Sequence, residues 1–331
     1  MQTRKLGHTG PETAQMGLGL MGMSDLYGPA DRGESIATIH AALDAGLTLL
    51  DTGDFYGMGH NEMLLGEALQ GRRRDQLQVS VKFGALRDPD GNWTGNDSRP
   101  AALKNFAAYS LKRLGLQHID IYRPARLDPN VPIEDTVGAI AELVQKGHVK
   151  HIGLSEVGPE TLRRAHKVHP ISDLQIEYSL ISRSIERGVL QTARELGIGI
   201  TAYGVLSRGL ISGHWARARE GEMDFRGLAS PRFQGENLAH NLQLVERMRG
   251  IAQAKGISVA QLAIAWVLAQ GQDIVPLVGA RTRQRLQEAL AANEVTLDRA
   301  ELERLELAVP AGAAAGARYN AHAMAALDSE R

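Results

Sequence analysis

Two short apolar runs of this chain each end by releasing ionisable side chains. Leu47-Thr-Leu-Leu-Asp51-Thr-Gly-Asp-Phe-Tyr56-Gly57 releases Asp51 and Tyr56, and Leu77-Gln-Val-Ser-Val-Lys82-Phe-Gly84 releases Lys82. A carboxylate, a phenol and an ammonium at successive strand ends can form one proton-transfer site. A phenol titrates near ~10, and a close ammonium favours phenolate and lowers that value. Such a tyrosine is a general acid usable near neutral pH, provided that a group such as Asp51 orients the lysine. Strand alternation sets Ser80 and Lys82 on one face of the second run and the valines on the other.

The elements that must position these groups follow a repeating rhythm. Strands are expected at Gln15–Leu20, Thr48–Leu50, Gln78–Lys82, Ile119–Tyr122, Val149–Ile152, Leu174–Ile176, Gly199–Ala202 and Ile274–Pro276. Helices are expected between them, near 32–45, 61–70, 98–114, 134–146, 159–166, 186–196, 237–254 and 282–291. Strands alternating with helices argue for an α/β fold with a parallel sheet, and eight such units match the number that closes a (β/α)8 TIM barrel. The expectation is a single barrel domain over residues 1–310, followed by an Ala/Gly-rich, poorly anchored tail over 311–331. Two long interruptions, Arg87–Ser98 and Gly204–Gly235, follow strands, on the face where barrel enzymes build their sites.

Composition narrows the class further. The chain has 331 residues, a formal net charge of −1 and no cysteine, which removes disulfides, thiol nucleophiles and thiolate metal sites. Near-neutral charge gives no footprint for nucleic acid or an anionic membrane surface. No apolar run reaches the roughly 20 residues that span a bilayer, and the N-terminus lacks the apolar stretch of a signal peptide. A cytoplasmic protein is expected. Gly17-Leu-Gly-Leu-Met-Gly22 matches the dinucleotide pattern G-x-G-x-x-G, but turn chemistry follows it where that motif needs a helix. His166 and His169 lack acidic or thiolate company, so no metal site is expected.

Five fragments in order resemble one family. Gly17-Leu-Gly-Leu-Met-Gly-Met-Ser24, Leu50-Asp-Thr-Gly-Asp-Phe-Tyr-Gly57, Val81-Lys-Phe-Gly84, Ile152-Gly-Leu-Ser-Glu156 and Ala202-Tyr-Gly-Val-Leu-Ser-Arg-Gly-Leu210 are similar to the aldo-keto reductases, from about residue 3 to about residue 308. The resemblance implies a (β/α)8 barrel binding NADPH (NADP+), less often NADH, over the C-terminal ends of its strands. It implies three catalytic positions: Tyr56 as proton donor to a carbonyl oxygen, Lys82 as its activator and Asp51 as the partner of Lys82. Gly22 and Met23 fall in its cofactor-binding segments. Ser155 and Gln175 match positions that bond the nicotinamide carboxamide, with Glu156 where many relatives have Asn, and Tyr203 matches the aromatic that stacks on the ring. Leu206, Ser207 and Arg208 match the pyrophosphate segment, and Gly279, Arg281, Gln284, Arg285 and Glu288 the adenosine end. Arg281 and Arg285 suit a 2′-phosphate, because guanidinium makes charge-assisted bonds to phosphate oxygens.

Two departures accompany the resemblance. Asp120-Ile-Tyr-Arg-Pro-Ala125-Arg-Leu-Asp-Pro129 puts Ala125 where relatives place a catalytic His, and Ala289 stands where they commonly have an adenine-contacting Asn. An alanine side chain makes no hydrogen bond, so Arg123, Arg126 or water must fill the polarising role. The expected activity is NADPH-dependent reduction of a small aldehyde or ketone. The rival expectations are a low-turnover nicotinamide-binding regulatory or redox-sensing protein and a specialised reductase, for instance of pyridoxal. Neither the substrate nor the oligomeric state is written in the sequence.

Overall fold

In the computed structural model, which describes residues 1–24, 26–215, 226–227 and 230–331, the chain opens with a small antiparallel hairpin. Its strands, β1 (Thr3–Lys5) and β2 (Glu12–Ala14), lie outside the barrel that follows. The barrel strands are β3 (Gly17–Gly19), β4 (Leu49–Gly53), β5 (Gln78–Phe83), β8 (Ile119–Pro124), β9 (Val149–Ser155), β10 (Ile171–Glu177), β11 (Gly199–Tyr203) and β12 (Ile274–Gly279). They pair in parallel in that order, and β12 closes onto β3 with Leu277 opposite Gly17. A second hairpin, β6 (Ala85–Arg87) with β7 (Trp93–Asn96), rises from the end of β5. The eight expected strands are all present in a closed α/β barrel.

Helices pack around it at Arg32–Asp44, His60–Ala68, Pro100–Leu114, Ile133–Gln145, Pro159–Val168, Val189–Glu195, Gly235–Lys255, Val259–Ala269 and Arg283–Leu290. Local chemistry sets their ends. Asp31 accepts from the Glu34 N–H and caps the first helix, and Gly115 at φ 67° closes Pro100–Leu114. The helix expected at 186–196 divides, because Gly188 at φ 130° separates the turn Ser184–Arg187 from Val189–Glu195. A further helix, Arg299–Ala308, starts on a capping box of Asp298 and Glu301. The G-x-G-x-x-G stretch is β3 and a single 3-10 turn at Met21–Met23, and among the described residues no α-helix opens before Arg32. Among the described residues no single helix is long and apolar enough to cross a membrane.

Inside the barrel, side chains form layers. At the bottom Leu49, Ile121 and Val275 meet Leu6 from the hairpin turn. Above them lies a polar layer in which Arg123 from β8 pairs with Asp173 from β10 at 3.0 Å and donates to Ser80 Oγ at 3.0 Å. Gly153 makes room for it: a Cβ there would lie 2.8 Å from Asp173 Oδ1 and 3.1 Å from Arg123 Nε. The strand-end acids and amides come next, at the C-terminal mouth. This inward polar set explains why β9 and β10 run longer than expected. Ser155 and Glu177 extend strands whose apolar pattern alone ends earlier, at Ile152 and Ile176.

Residues 311–331 correct the expectation of a poorly anchored tail. Arg318, 4% exposed, reaches Glu156 at 2.9 Å, Glu177 at 3.2 Å and Glu330 at 2.6 Å, and Leu327 and Ser329 are buried. Ala/Gly composition signals little local stiffness, but a buried ion-pair network joins this segment to the mouth of the barrel.

Candidate active site

Asp51, Tyr56 and Lys82 come together at the C-terminal mouth. Asp51 points inward from β4 and accepts from Lys82 Nζ, from Ser80 Oγ at 2.9 Å and from Gln175 Nε2 at 2.7 Å. Tyr56 stands in the turn after β4, where Gly57 and Met58 take positive φ of 55° and 52°. Lys82 Nζ sits 5.0 Å from the centre of the Tyr56 ring. Phe55 meets that ring edge-on at 4.8 Å and touches Trp93 of β7 at 5.7 Å, so the second hairpin walls the site.

The charge state of this trio differs from the sequence expectation in one respect. Burial, reinforced by the Asp51 carboxylate, pushes the Tyr56 phenol well above its usual range, while Arg126 pulls the other way. Burial lowers Lys82, and Asp51 opposes that shift through its charge and hydrogen bond. The lysine's charge is matched to Asp51, so the expected lowering of the phenol is not found. The Tyr56 phenol holds its proton more tightly than a free tyrosine, beside the bonded Lys82 and Asp51 side chains.

A cavity of about 1070 Å³ opens over the trio and extends past β12. It lies just above the roughly 300–1,000 Å³ typical of ligand sites. Of the expected cofactor residues, Gly22, Ser155, Gln175, Tyr203, Leu206, Arg208, Gly279, Arg281, Gln284, Arg285 and Glu288 line it. Met23 does not: its side chain is buried in the hydrophobic core. Ser207 is also outside the lining, its side chain turned into the protein in a left-handed turn at φ 46°. Among the described residues, Ser155 Oγ is buried without a hydrogen-bond partner, and a Cβ on Gly279 would meet only Gly19 O, at 3.8 Å. An orphan hydroxyl at one end and a side-chain-free strand edge along the cavity suit an amide-bearing dinucleotide. At the far end Arg281 donates to Tyr27 O at 2.6 Å, while Glu288 holds His214 at 2.8 Å and Arg285 at 3.0 Å.

The structure separates the two arginines considered as substitutes beside Ala125. Arg123 is fully buried in the polar layer on Asp173 and Ser80 and does not line the cavity, which removes it from the polarising role. Strand alternation turned it inward, at a depth the sequence does not reveal. Arg126 lines the cavity together with Ala125 and donates to Ala125 O at 2.6 Å.

Glu156, Tyr203 and Arg208 are tied to the C-terminal segment. Glu156 takes φ 51° just past β9, a conformation uncommon outside glycine and often found at functional sites. Burial would raise its carboxyl, but Arg318, Arg126 and the Ser329 hydroxyl hold it at about 2. Tyr203 donates its hydroxyl to Glu156 Oε1 at 2.7 Å and lies 3.0 Å from the Tyr319 hydroxyl. Arg208 donates to Arg318 O at 2.8 Å and covers the Tyr319 ring at 4.2 Å. Tyr319, Asn320 and His322 line the cavity, as do Tyr27 and Trp93. No local sequence pattern marked the three C-terminal residues. Trp93 lay in a segment already marked as a site-building loop.

With this geometry in hand, relatives can be compared. The model of the Aldo/keto reductase family matches residues 15–309. A probable aldo-keto reductase 1 of Glycine max is 42% identical over 322 residues, covering 96% of this chain and 92% of the relative. The solved glycerol dehydrogenase AKR11B4 from Gluconobacter oxydans superposes with a TM-score of 0.82 at 28% identity, over 92% of this chain and 94% of that one. A thermostable aldo-keto reductase, Tm1743, solved with the inhibitor epalrestat, gives a TM-score of 0.75 at 26% identity, over 93% and 100% of the two chains.

Proposed function

The chain belongs to the aldo/keto reductase family, and from that premise we propose that it is an NADPH-dependent reductase of small carbonyl compounds with Tyr56 as the proton donor. The observation that carries this reading is the buried grouping of Asp51, Lys82 and Tyr56 facing one cavity with Ser155, Gln175 and Tyr203. A bound dihydronicotinamide supplies hydride to a carbonyl carbon. Ser155 and Gln175 would hold its carboxamide end and Tyr203 would lie against its ring. Tyr56 gives its proton to the carbonyl oxygen, and Lys82, held by Asp51, stabilises the charge left on the phenol. Phe55 and Trp93 narrow the entrance and keep water from the reacting carbon. Arg281 and Arg285, at the adenosine end, support NADPH over NADH.

Purified full-length protein is tested with NADPH and a panel of neutral aldehydes. Turnover is expected in the wild type and a fall of at least a hundredfold in Tyr56→Phe, with cofactor binding retained by fluorescence titration. Cofactor binding without turnover across the panel favours the low-turnover binding protein instead, and turnover unchanged in Tyr56→Phe removes the proton-donor role. In parallel, Arg281→Ala should weaken NADPH binding about tenfold or more while leaving NADH nearly unaffected. Equal losses contradict the phosphate assignment.

A further inference from the structure

Among the described residues, the carboxylates at the mouth of the barrel each meet a cation, and Arg126 meets none of them. Asp51 is matched by Lys82. Glu156 and Glu177 are bridged by Arg318, Arg208 also reaches Glu177 at 3.4 Å, Arg232 lies 3.8 Å from it, and Glu330 meets Arg318. Three carboxylates thus face three guanidiniums. Arg126 is outside this balance. Among the described residues no carboxylate lies within ion-pair distance of it, and its one hydrogen bond goes to the carbonyl of its own neighbour, Ala125. Of the five N–H donors of its planar fork one is used, which leaves four on a side chain that lines the cavity.

Its position next to the chemistry matters as much as its charge. Arg126 follows Ala125, both line the cavity that Tyr56 lines, and the Arg126 charge is felt by the Tyr56 phenol and by Lys82. Glu156 acts on Arg126 only from beyond contact distance, and a cation with no carboxylate touching it, in a cavity beside the proton donor, has its contact partner on the ligand. We propose that Arg126 binds a carboxylate carried next to the reacting carbonyl, so that the enzyme's substrates are 2-oxo acids, reduced to 2-hydroxy acids.

This rests on the carbonyl-reduction reading and gives it a substrate class. The carbonyl carbon takes hydride, with its electron pair, from the dihydronicotinamide, and the carbonyl oxygen takes the Tyr56 proton. The C=O bond becomes CH–OH, the nicotinamide is oxidised, and solvent reprotonates Tyr56. The carboxylate is unchanged. Held by the guanidinium fork, it orients the carbonyl towards Tyr56, and neutralising it keeps the adjacent carbon electrophilic. That geometry accounts for a site that works with alanine at residue 125: the substrate brings the group through which the protein polarises it.

The test uses the full-length enzyme with NADPH and the matched pair phenylglyoxylate and methyl phenylglyoxylate. The ester is neutral and the more electrophilic of the two, so intrinsic reactivity favours it. The wild type should nonetheless prefer the acid in kcat/KM by about tenfold to a hundredfold, the range expected for a hydrogen-bonded charge pair. Arg126→Met should erase or invert that ratio, and Arg126→Lys should restore part of it. A ratio that stays the same in Arg126→Met overturns the assignment, even where both rates fall. A second measurement needs no turnover: calorimetric binding of phenylacetate and phenylacetamide to enzyme loaded with NADP+. Tighter binding of the anion, lost in Arg126→Met, supports the carboxylate site; equal binding of the two by the wild type overturns it. An enzyme that reduces nothing but binds the anion through Arg126 refutes the reductase reading and leaves the anion site standing.

Discussion

Ala125 lines the cavity where, on the proposed reading, a hydrogen-bonding side chain would touch substrate, and its backbone shows that the strand end itself is regular. Its N–H donates to Phe83 O at 2.8 Å, continuing the β5–β8 ladder, while its side chain faces the cavity beside Arg126. A donor added there would meet a carbonyl oxygen held by Tyr56. One such bond in a water-poor site is worth about 10²–10³ in rate. Ala125→His should therefore raise kcat/KM on a neutral aldehyde such as 4-nitrobenzaldehyde by about tenfold or more, read from NADPH absorbance. A fall shows that the pocket is shaped around Ala125 and that the imidazole displaces substrate from Arg126. At this scale the sequence was legible where strand parity and local motif coincided. Asp51, Ser80 and Lys82 alternate inward as a period of two requires, and the structure joins them by hydrogen bonds. Parity could not tell Arg123 from a mouth residue. Its depth is set by Asp173, a residue on a different strand, and by the space that Gly153 leaves open.

Among the elements, the C-terminal segment combines the least readable sequence with the most consequential contacts. Its pattern of Ala and Gly carries no helical or strand period, and only the cap at Asn320, which accepts from the Ala323 N–H, gives a local signal. What anchors it is one arginine meeting acids that end β9 and β10, more than 140 positions away by the separation of Arg318 and Glu177. The barrel strands and most of the helices were readable because each carries its own periodicity and caps; this contact exists only once the barrel has closed. Arg318→Met keeps the bulk but leaves Glu156 and Glu177 short of a counterion in a buried place. Breaking such a network from one side costs about 3–5 kcal/mol. The expected result is a clear fall in the urea midpoint, with amides of residues 311–331 exchanging faster and Tyr319 leaving Tyr203. An unchanged midpoint would show that Arg208 and Arg232 suffice for both acids.

Stability of the whole molecule against pH depends on buried acids pulled in opposite directions. Burial and nearby Glu62 raise Asp54 to about 7, with the Gly84 N–H and Arg113 opposing, and burial raises Glu62 as well. A carboxyl whose folded pKa lies above its unfolded value of ~3.9 binds its proton more tightly in the fold. Its contribution is complete below pH ~4 and is lost as pH rises through about 7. Glu156 has the opposite sign. Its folded value of about 2 lies below the unfolded ~4.3, so its contribution is present above that value and lost as pH falls through about 2. Burial lowers His118 and His151, which likewise stabilise the fold above ~6.5 and weaken it as pH falls. A single pH curve mixes all these terms, so the difference between two proteins is the sharper measurement. Asp54→Asn keeps an acceptor for the Gly84 N–H and removes only the titration at residue 54, while Glu156 and the histidines cancel. Asp54 is only half-buried, so solvent takes back part of the penalty of raising its carboxyl to about 7. A gain for the variant on the order of 2 kcal/mol is expected to develop between pH 5 and pH 8. Urea unfolding of both proteins at pH 5, 6.5 and 8 reads it directly, and a difference that stays constant across that range would mean that Asp54 is already ionised in the fold at pH 5.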